Sequence, residues 1–247
     1  MKAAHAAQVR LLDLQAADTA VAQLTHRKQA LPEHAAIADG RTERAKLVSD
    51  LVAARTRISD LQQEAEKAEA DLVPVRERRV RDQQRLDDGV VNDAKGIGVL
   101  TEEIAHLDRR ISDLEDVELQ AMEELDAATA TERELAGRVA ELESSVRALI
   151  ASRDEQLAQL DAEVGARQGA RDGIAADLPA DLLALYDRIR SRNGGLAAVE
   201  LKGRRCGGCQ IEATPSALAG YHDAPADEVL RCEECERILV RLPDTAS

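Results

Sequence analysis

Residues 87–99 read DDGVVNDAKGIGV, and this stretch decides the fold. Three glycines and an Asn-Asp step are turn residues, because glycine and asparagine tolerate backbone angles that other residues avoid. Upstream, Leu47, Leu51, Ala54, Ile58, Leu61, Ala65, Ala68, Leu72 and Val75 recur at alternating steps of four and three, the stripe of a helix that packs along one seam. The stripe reaches Leu86 across Pro74, which predicts a bend rather than a stop. Downstream, Leu100, Ile104, Leu107, Ile111 and Leu114 restart the pattern, and Leu135, Val139, Leu142, Val146 and Leu149 keep its phase. Two stripes flanking one turn are satisfied by folding back, each arm covering the other's seam, so the sequence predicts an antiparallel coiled-coil hairpin turning over 88–99. An arm of about 70 residues at about 1.5 Å each would be on the order of 100 Å long. A parallel dimer of unfolded-back helices is the alternative that the glycine-rich break opposes.

Working outward, Leu14, Ala17, Val21 and Leu24 extend a stripe to Leu31, and Pro32 predicts a break or kink between two helices. After Leu149 the stripe shifts to Leu157, Leu160 and Val164, a four-residue stutter. Glycines between Gly165 and Gly173 predict that the long helix frays or ends there. Residues 179–192, PADLLALYDRIRSR, then read as a short amphipathic helix closed by Asn193-Gly194-Gly195. Residues 196–209, LAAVELKGRRCGGC, alternate like a strand entering a metal knuckle, and Arg237 to Arg241 read as a strand leaving a second one. The predicted organisation is a hairpin over 1–175, a connecting helix over 176–195 and a ribbon over 196–247, in a mainly α chain with a small C-terminal β domain.

Composition agrees. The 247 residues include no tryptophan, no phenylalanine and two tyrosines, so a large core built on buried rings is not expected. Thirty-three basic residues stand against 47 acidic ones, a net charge of −14, which opposes general attraction to nucleic acid or anionic membrane. No apolar run approaches the roughly 20 residues that span a bilayer, and MKAAHAAQVRLLDLQ lacks the apolar core of a signal peptide. A cytoplasmic location is therefore expected, where four cysteines suggest metal before disulfides.

Those cysteines are Cys206, Cys209, Cys232 and Cys235, two CxxC pairs with 22 residues between them. A two-residue spacing lets one tight turn aim both thiolates at one ion, and two such turns complete the tetrahedron zinc accepts. Gly207 and Gly208 ease the first turn, and the stretch between the pairs is expected to hold a loop and hairpin strands. A redox dithiol would need a thioredoxin-like context that the sequence lacks, while iron competes in principle for a four-sulfur site. Four thiolates leave no open coordination position, so the expected cofactor is one structural Zn2+.

With Tyr186-Asp-Arg-Ile-Arg190, the glycine pair before a short strand, the first CGGC knuckle and the ending Cys232-Glu-Glu-Cys235-Glu-Arg-Ile-Leu-Val240, the chain resembles the bacterial C4-type zinc-ribbon family whose members carry a long N-terminal coiled-coil hairpin. Asn92, Lys95 and the Glu102-Glu103-Ile104 start also look like that family's hairpin tip. Glu236 departs from it, since such ribbons usually place glycine after the last cysteine. The resemblance implies an adaptor or nucleic-acid-binding role, with links in some members to flagellar or type III secretion assembly and to an alternative sigma factor.

Two functions are weighed. The first is a non-enzymatic adaptor that binds protein partners through rod and ribbon. It accords with a sequence that has no phosphate loop and no nucleophile elbow, and whose five histidines are dispersed. The second is RNA or DNA binding. From Leu196 onward the ribbon holds six basic and nine acidic residues, Asp244 included, and one aromatic, Tyr221. Its candidate contacts are Lys202, Arg204 and Arg205 beside the first knuckle. A second group, Arg76, Arg78, Arg79, Arg81 and Arg85, is predicted to meet His106, Arg109 and Arg110 near the tip, marking it as a dock for RNA or an acidic protein. A concealed enzyme site around Glu212, His222 and Asp223 has no recognised acid–base spacing. Alanine and leucine along the seam also permit two hairpins to associate.

Overall fold

The computed structural model describes residues 1–242; Asp244 and the expected ribbon boundary at 247 lie outside the described residues. The chain runs α1 (His5–Gln29), α2 (Pro32–Asp87), α3 (Ala94–Ala176), α4 (Ala180–Arg192), β1 (Ala198–Lys202), β2 (Arg205–Cys206), α5 (Pro215–Asp223), β3 (Leu230–Arg231) and β4 (Ile238–Val240). It divides into two compact units, residues 35–150 and residues 1–34 with 151 onward.

In the unit formed by residues 35–150, α2 and α3 lie antiparallel. Leu47, Leu51, Leu61, Ala68 and Leu72 are buried along one helix, and Leu100, Ile104, Leu107 and Leu114 along the other, all positions the stripes predict; Ala121 is buried one heptad beyond Leu114. Register is marked by ion pairs across the arms, Arg44 with Glu143 at 2.6 Å, Arg55 with Glu132 at 2.9 Å and Arg79 with Asp108 at 2.9 Å, all centred on the turn near Asp93. Such exposed pairs contribute at most about 1 kcal/mol each, so the apolar seam carries the stability. Helix α2 passes through Pro74 without ending. The turn is shorter than the sequence suggests: α3 starts at Ala94, because the Asp93 carboxylate accepts the Gly96 N–H at 2.7 Å and so satisfies a free donor of the first turn. Gly89 holds the turn's positive φ of 64°.

The other unit contains α1, the start of α2, the end of α3, α4 and the ribbon. Pro32 does separate two helices, heading α2 as a first-turn proline. The expected fraying at Gly165 to Gly173 does not occur, and α3 continues to Ala176. Gly165, Gly169 and Gly173 face open space and cost the helix roughly 1 kcal/mol each relative to alanine. Tertiary contacts carry it past them, since Ile174 and Ala175 pack into the core and Arg171 bonds Asp18.

The ribbon sheet has the order β2-β1-β4-β3, with β1 and β4 parallel and both outer pairs antiparallel. Its period of two sends alternate residues to opposite faces. Ala198, Ile238 and Val240 join Leu11, Leu14, Leu182, Tyr186 and Ile189 on the helical side, while Val199, Leu230 and Leu239 join Ala217, Tyr221 and the buried cysteines on the other. A parallel pair buried on both faces is the usual environment of such strands. The second face is covered by α5, where the sequence predicts only loop and hairpin strands; Thr214 caps this helix by accepting the Ala217 N–H, and Pro215 opens it. The first residues of the chain also dress the ribbon, with Ala3 N–H donating to the Asp227 carbonyl at 2.7 Å and Val229 N–H to that of Met1 at 3.0 Å.

A buried polar cluster joins the ribbon to the helices beneath it. Gln15 Oε1 accepts from the Ala197 N–H at 2.7 Å and the Ala198 N–H at 3.3 Å, and Gln15 Nε2 donates to the Gly195 carbonyl at 2.8 Å. The Tyr186 hydroxyl donates to Asp18 at 2.7 Å and lies 3.3 Å from Gln15 Oε1, and Asp18 meets Arg171 at 3.1 Å and Arg190 at 3.2 Å. Burial first, then the Asp18 carboxylate, pushes the Tyr186 hydroxyl well above its ordinary range. Among the described residues no helix is long and apolar enough to cross a membrane.

Replacing Gln15 by Leu leaves the Ala197 N–H and the Gly195 carbonyl without their partner. Urea denaturation should show a loss of about 2–3 kcal/mol, accompanied by faster proteolysis within 196–242. An unchanged midpoint would mean that the cluster does not anchor the ribbon.

Candidate metal centre

Two knuckles bring the four thiols together. In the first, the Gln210 N–H donates to the Cys206 carbonyl at 3.0 Å; in the second, the Glu236 N–H donates to the Cys232 carbonyl at 2.9 Å. Each turn therefore closes on the residue after its second cysteine, and that residue sits in the left-handed region in both, Gln210 at φ 62° and Glu236 at φ 59°. A left-handed φ favours glycine, the residue that the resemblance leads one to expect where this chain has Glu236. Both side chains are tolerated, Gln210 by donating to the Gly207 carbonyl and Glu236 by meeting Arg231 at 3.1 Å.

Gly207 and Gly208 do more than ease a turn. A Cβ on Gly207 would stand 2.8 Å from the Glu200 carbonyl oxygen, and one on Gly208 would stand 2.7 Å from Arg237 Cδ. The knuckle is thereby seated directly on β1, with the Gly207 N–H donating to Glu200 at 2.9 Å.

The sulfur atoms lie within 4.8 Å of one another, with Cys206 to Cys235 and Cys209 to Cys232 both at 3.8 Å. Zinc–sulfur bonds of about 2.3 Å in a tetrahedron require sulfur–sulfur edges of about 3.8 Å, whereas a disulfide would need about 2.05 Å. The donor set and its spacing therefore fit one Zn2+ held by Cys206, Cys209, Cys232 and Cys235. Burial pushes the Cys206 thiol up and the Cys232 thiol up to about 12. At Cys235 burial is outweighed by hydrogen bonds from the Arg237 backbone and side chain, which bring it down to about 7. Metal must displace protons from the raised pair, so affinity falls with acidification.

The candidate basic contacts are largely engaged elsewhere. Arg76 pairs with Glu115, Arg78 with Glu103 and Asp82, Arg79 with Asp108, Arg81 with Glu77 and Arg85 with Asp82. Arg109 and Arg110 make no ion pair among the described residues. Beside the first knuckle, Arg204 pairs with Glu212 at 3.0 Å and Lys202 approaches Glu200 at 3.9 Å, while Arg205 is exposed. Two further arginines cap helices. The Arg237 guanidinium donates to the Leu196 and Asn193 carbonyls just beyond α4, and that of Arg241 to the Tyr221, Ala224 and Pro225 carbonyls at the end of α5, where positive charge favours the helix dipole. Sequence reasoning missed the Gln15, Asp18 and Tyr186 cluster. Its one visible signal is two polar residues of α1, Gln15 and Asp18, interleaved with the apolar Leu11 and Leu14.

Comparisons with known proteins agree with this geometry. A family model described as a CT398-like coiled coil hairpin domain matches residues 14–194, and a C4-type zinc ribbon domain model matches residues 205–239. The uncharacterized protein Rv2229c of Mycobacterium tuberculosis is 37% identical over 246 residues, covering 98% of each chain. A solved structure from Mycobacterium smegmatis superposes with a TM-score of 0.83 at 31% identity, covering 98% of this chain and 100% of that one. The structure of CT398 from Chlamydia trachomatis gives 0.72 at 18% identity, covering 96% and 98%, a likeness of fold.

Elemental analysis of protein purified under reducing conditions should give one zinc per chain, and chelation should open Arg204 and Arg205 to trypsin while most of the helical circular dichroism remains. Zinc retention should fall as the pH is lowered, because protons compete with the ion for all four thiolates. At the second knuckle, Glu236→Gly should keep or raise thermal stability, whereas Glu236→Val should cost about 1–2 kcal/mol because a β-branched residue is forced into the left-handed region. Equal melting temperatures for the two variants would contradict the backbone account.

Proposed function

The chain belongs to the family of CT398-like coiled-coil hairpin proteins that carry a C4-type zinc ribbon, and we propose that it is a non-enzymatic adaptor, binding protein partners through its helical hairpin and its ribbon. The observation that carries this reading is the closure of the metal centre. Four sulfurs within 4.8 Å of one another, two pairs of them at 3.8 Å, leave zinc no position for water or substrate, so the ion supplies shape and not chemistry. The ribbon that it shapes is held on α1 and α4 by Gln15 and Tyr186, which presents a firm surface to a partner rather than a hinged one.

Nucleic-acid binding is the second reading, and one observation favours it. Arg188 and Arg192 are exposed on α4, line a groove with Arg231 and the second knuckle, and make no ion pair among the described residues. Glu234 and Glu236 line the same groove, and their charge opposes a phosphate backbone.

Capture from cell extract by the immobilised full-length, zinc-loaded protein, with and without nuclease, separates the two. The adaptor reading expects the same protein partners in both arms, and expects Cys232→Ser to lose those that grip the ribbon. Partners that vanish with nuclease, together with salt-sensitive RNA retention lost in an Arg188→Glu, Arg192→Glu variant, would replace it with the second reading.

A further inference from the structure

Side chains at the hairpin turn do not match the use that the sequence suggests for it. The arginines that lead into the turn, Arg76, Arg78, Arg79, Arg81 and Arg85, are each paired with a carboxylate of the same unit. What the turn itself exposes is apolar and acidic. Val90 is 66% exposed, Val99 61% and Ile97 40%, three large aliphatic side chains within ten residues. Between Leu86 and Leu100 the turn carries Asp87, Asp88 and Asp93 against one cation, Lys95, and no ion pair among the described residues involves any of the four; Arg78 and Arg85, which share the groove with Asp93 and Lys95, are paired with Glu103 and Asp82. Asp87 accepts from Gln83, and Asp93 caps α3.

Single exposed apolar residues are ordinary on any protein surface. Three grouped where no second helix covers them, and where a turn requires only small or polar residues, mark a contact surface. Val99 also lines a groove between the arms, above buried Leu100 and next to Gly96, so the patch continues into a concavity instead of ending as isolated methyl groups.

We propose that this tip docks into an apolar cleft with a basic rim on a partner protein. The apolar residues supply the area removed from water, and the unpaired aspartates select a rim of lysine or arginine and repel acidic surfaces. RNA is the wrong occupant, because phosphate would meet an excess of carboxylates. A second copy of the tip is also disfavoured, because its aspartates would face their own kind. The inference rests on the adaptor reading and names the partner chemistry of one end of it.

The test places a photo-crosslinking residue at position 90 of the full-length protein in cells, with an exposed position on α3, Glu123, as the control. Crosslinks from position 90 are expected to concentrate on one protein, on a peptide rich in aliphatic residues and flanked by lysine or arginine. Their yield should fall about tenfold when Asp87 and Asp88 become Lys, and similarly for Val99→Ser, with the thermal melt of both variants unchanged. Crosslinks spread over many proteins as at position 123, or formed to RNA or to a second copy of this chain, would overturn the proposal. If ribbon-dependent capture persists in that case, only the tip assignment fails; if capture fails as well, the adaptor reading falls with it.

Discussion

One side-chain amide, that of Gln15, makes hydrogen bonds that the ribbon cannot make for itself. The main chain entering β1 has donors at Ala197 and Ala198 and an acceptor at Gly195 that point at α1, and Gln15 satisfies all three. A buried backbone group left unpaired costs as much as a lost hydrogen bond, so the strand can be covered by helices only because α1 places an amide at that point. Tyr186 and Asp18 extend the same arrangement to α4 and α3. The sheet can then be buried on both faces, and the cysteine knuckles can rest on its far side.

The ribbon is too small to fold on apolar burial alone, and it solves this twice. Its helical side borrows the core of α1 and α4, with Ile238 and Val240 fully buried there. Its other side has a metal centre in place of bulk, roofed by α5 through Ala217 and Tyr221. The two left-handed residues, Gln210 and Glu236, are the local strain this second solution carries, and the bond energy of a four-thiolate zinc site far exceeds a strain of about 1–2 kcal/mol per residue.

Charge is distributed by the same economy of partners. Most arginines along the hairpin meet carboxylates across or along the arms, and those at the ends of β4 meet helix carbonyls. Counting cations in the sequence therefore overstates the positive surface. Outside ion pairs among the described residues are the aspartates of the turn, Arg109 and Arg110 of the hairpin, Arg188 and Arg192 of α4 and Arg205 beside the first knuckle.

The sequence by itself determined the hairpin and the metal ligands, because each follows from a spacing, while the register came with the short turn that Asp93 closes. Seam residues recur every three and four positions, the turn is marked by glycines, and two CxxC pairs supply the four ligands of a tetrahedral zinc. Other features depend on distant residues. The helix through Gly165, Gly169 and Gly173 survives because Arg171 and Ala175 find partners elsewhere in the fold, and α5 forms because Thr214 and Pro215 start a helix that can cover the sheet. Whether an arginine was free, whether Gln15 was buried and which side of the ribbon faced the helices were decided only by tertiary structure, since local pattern records what a residue is and not what it is brought to meet.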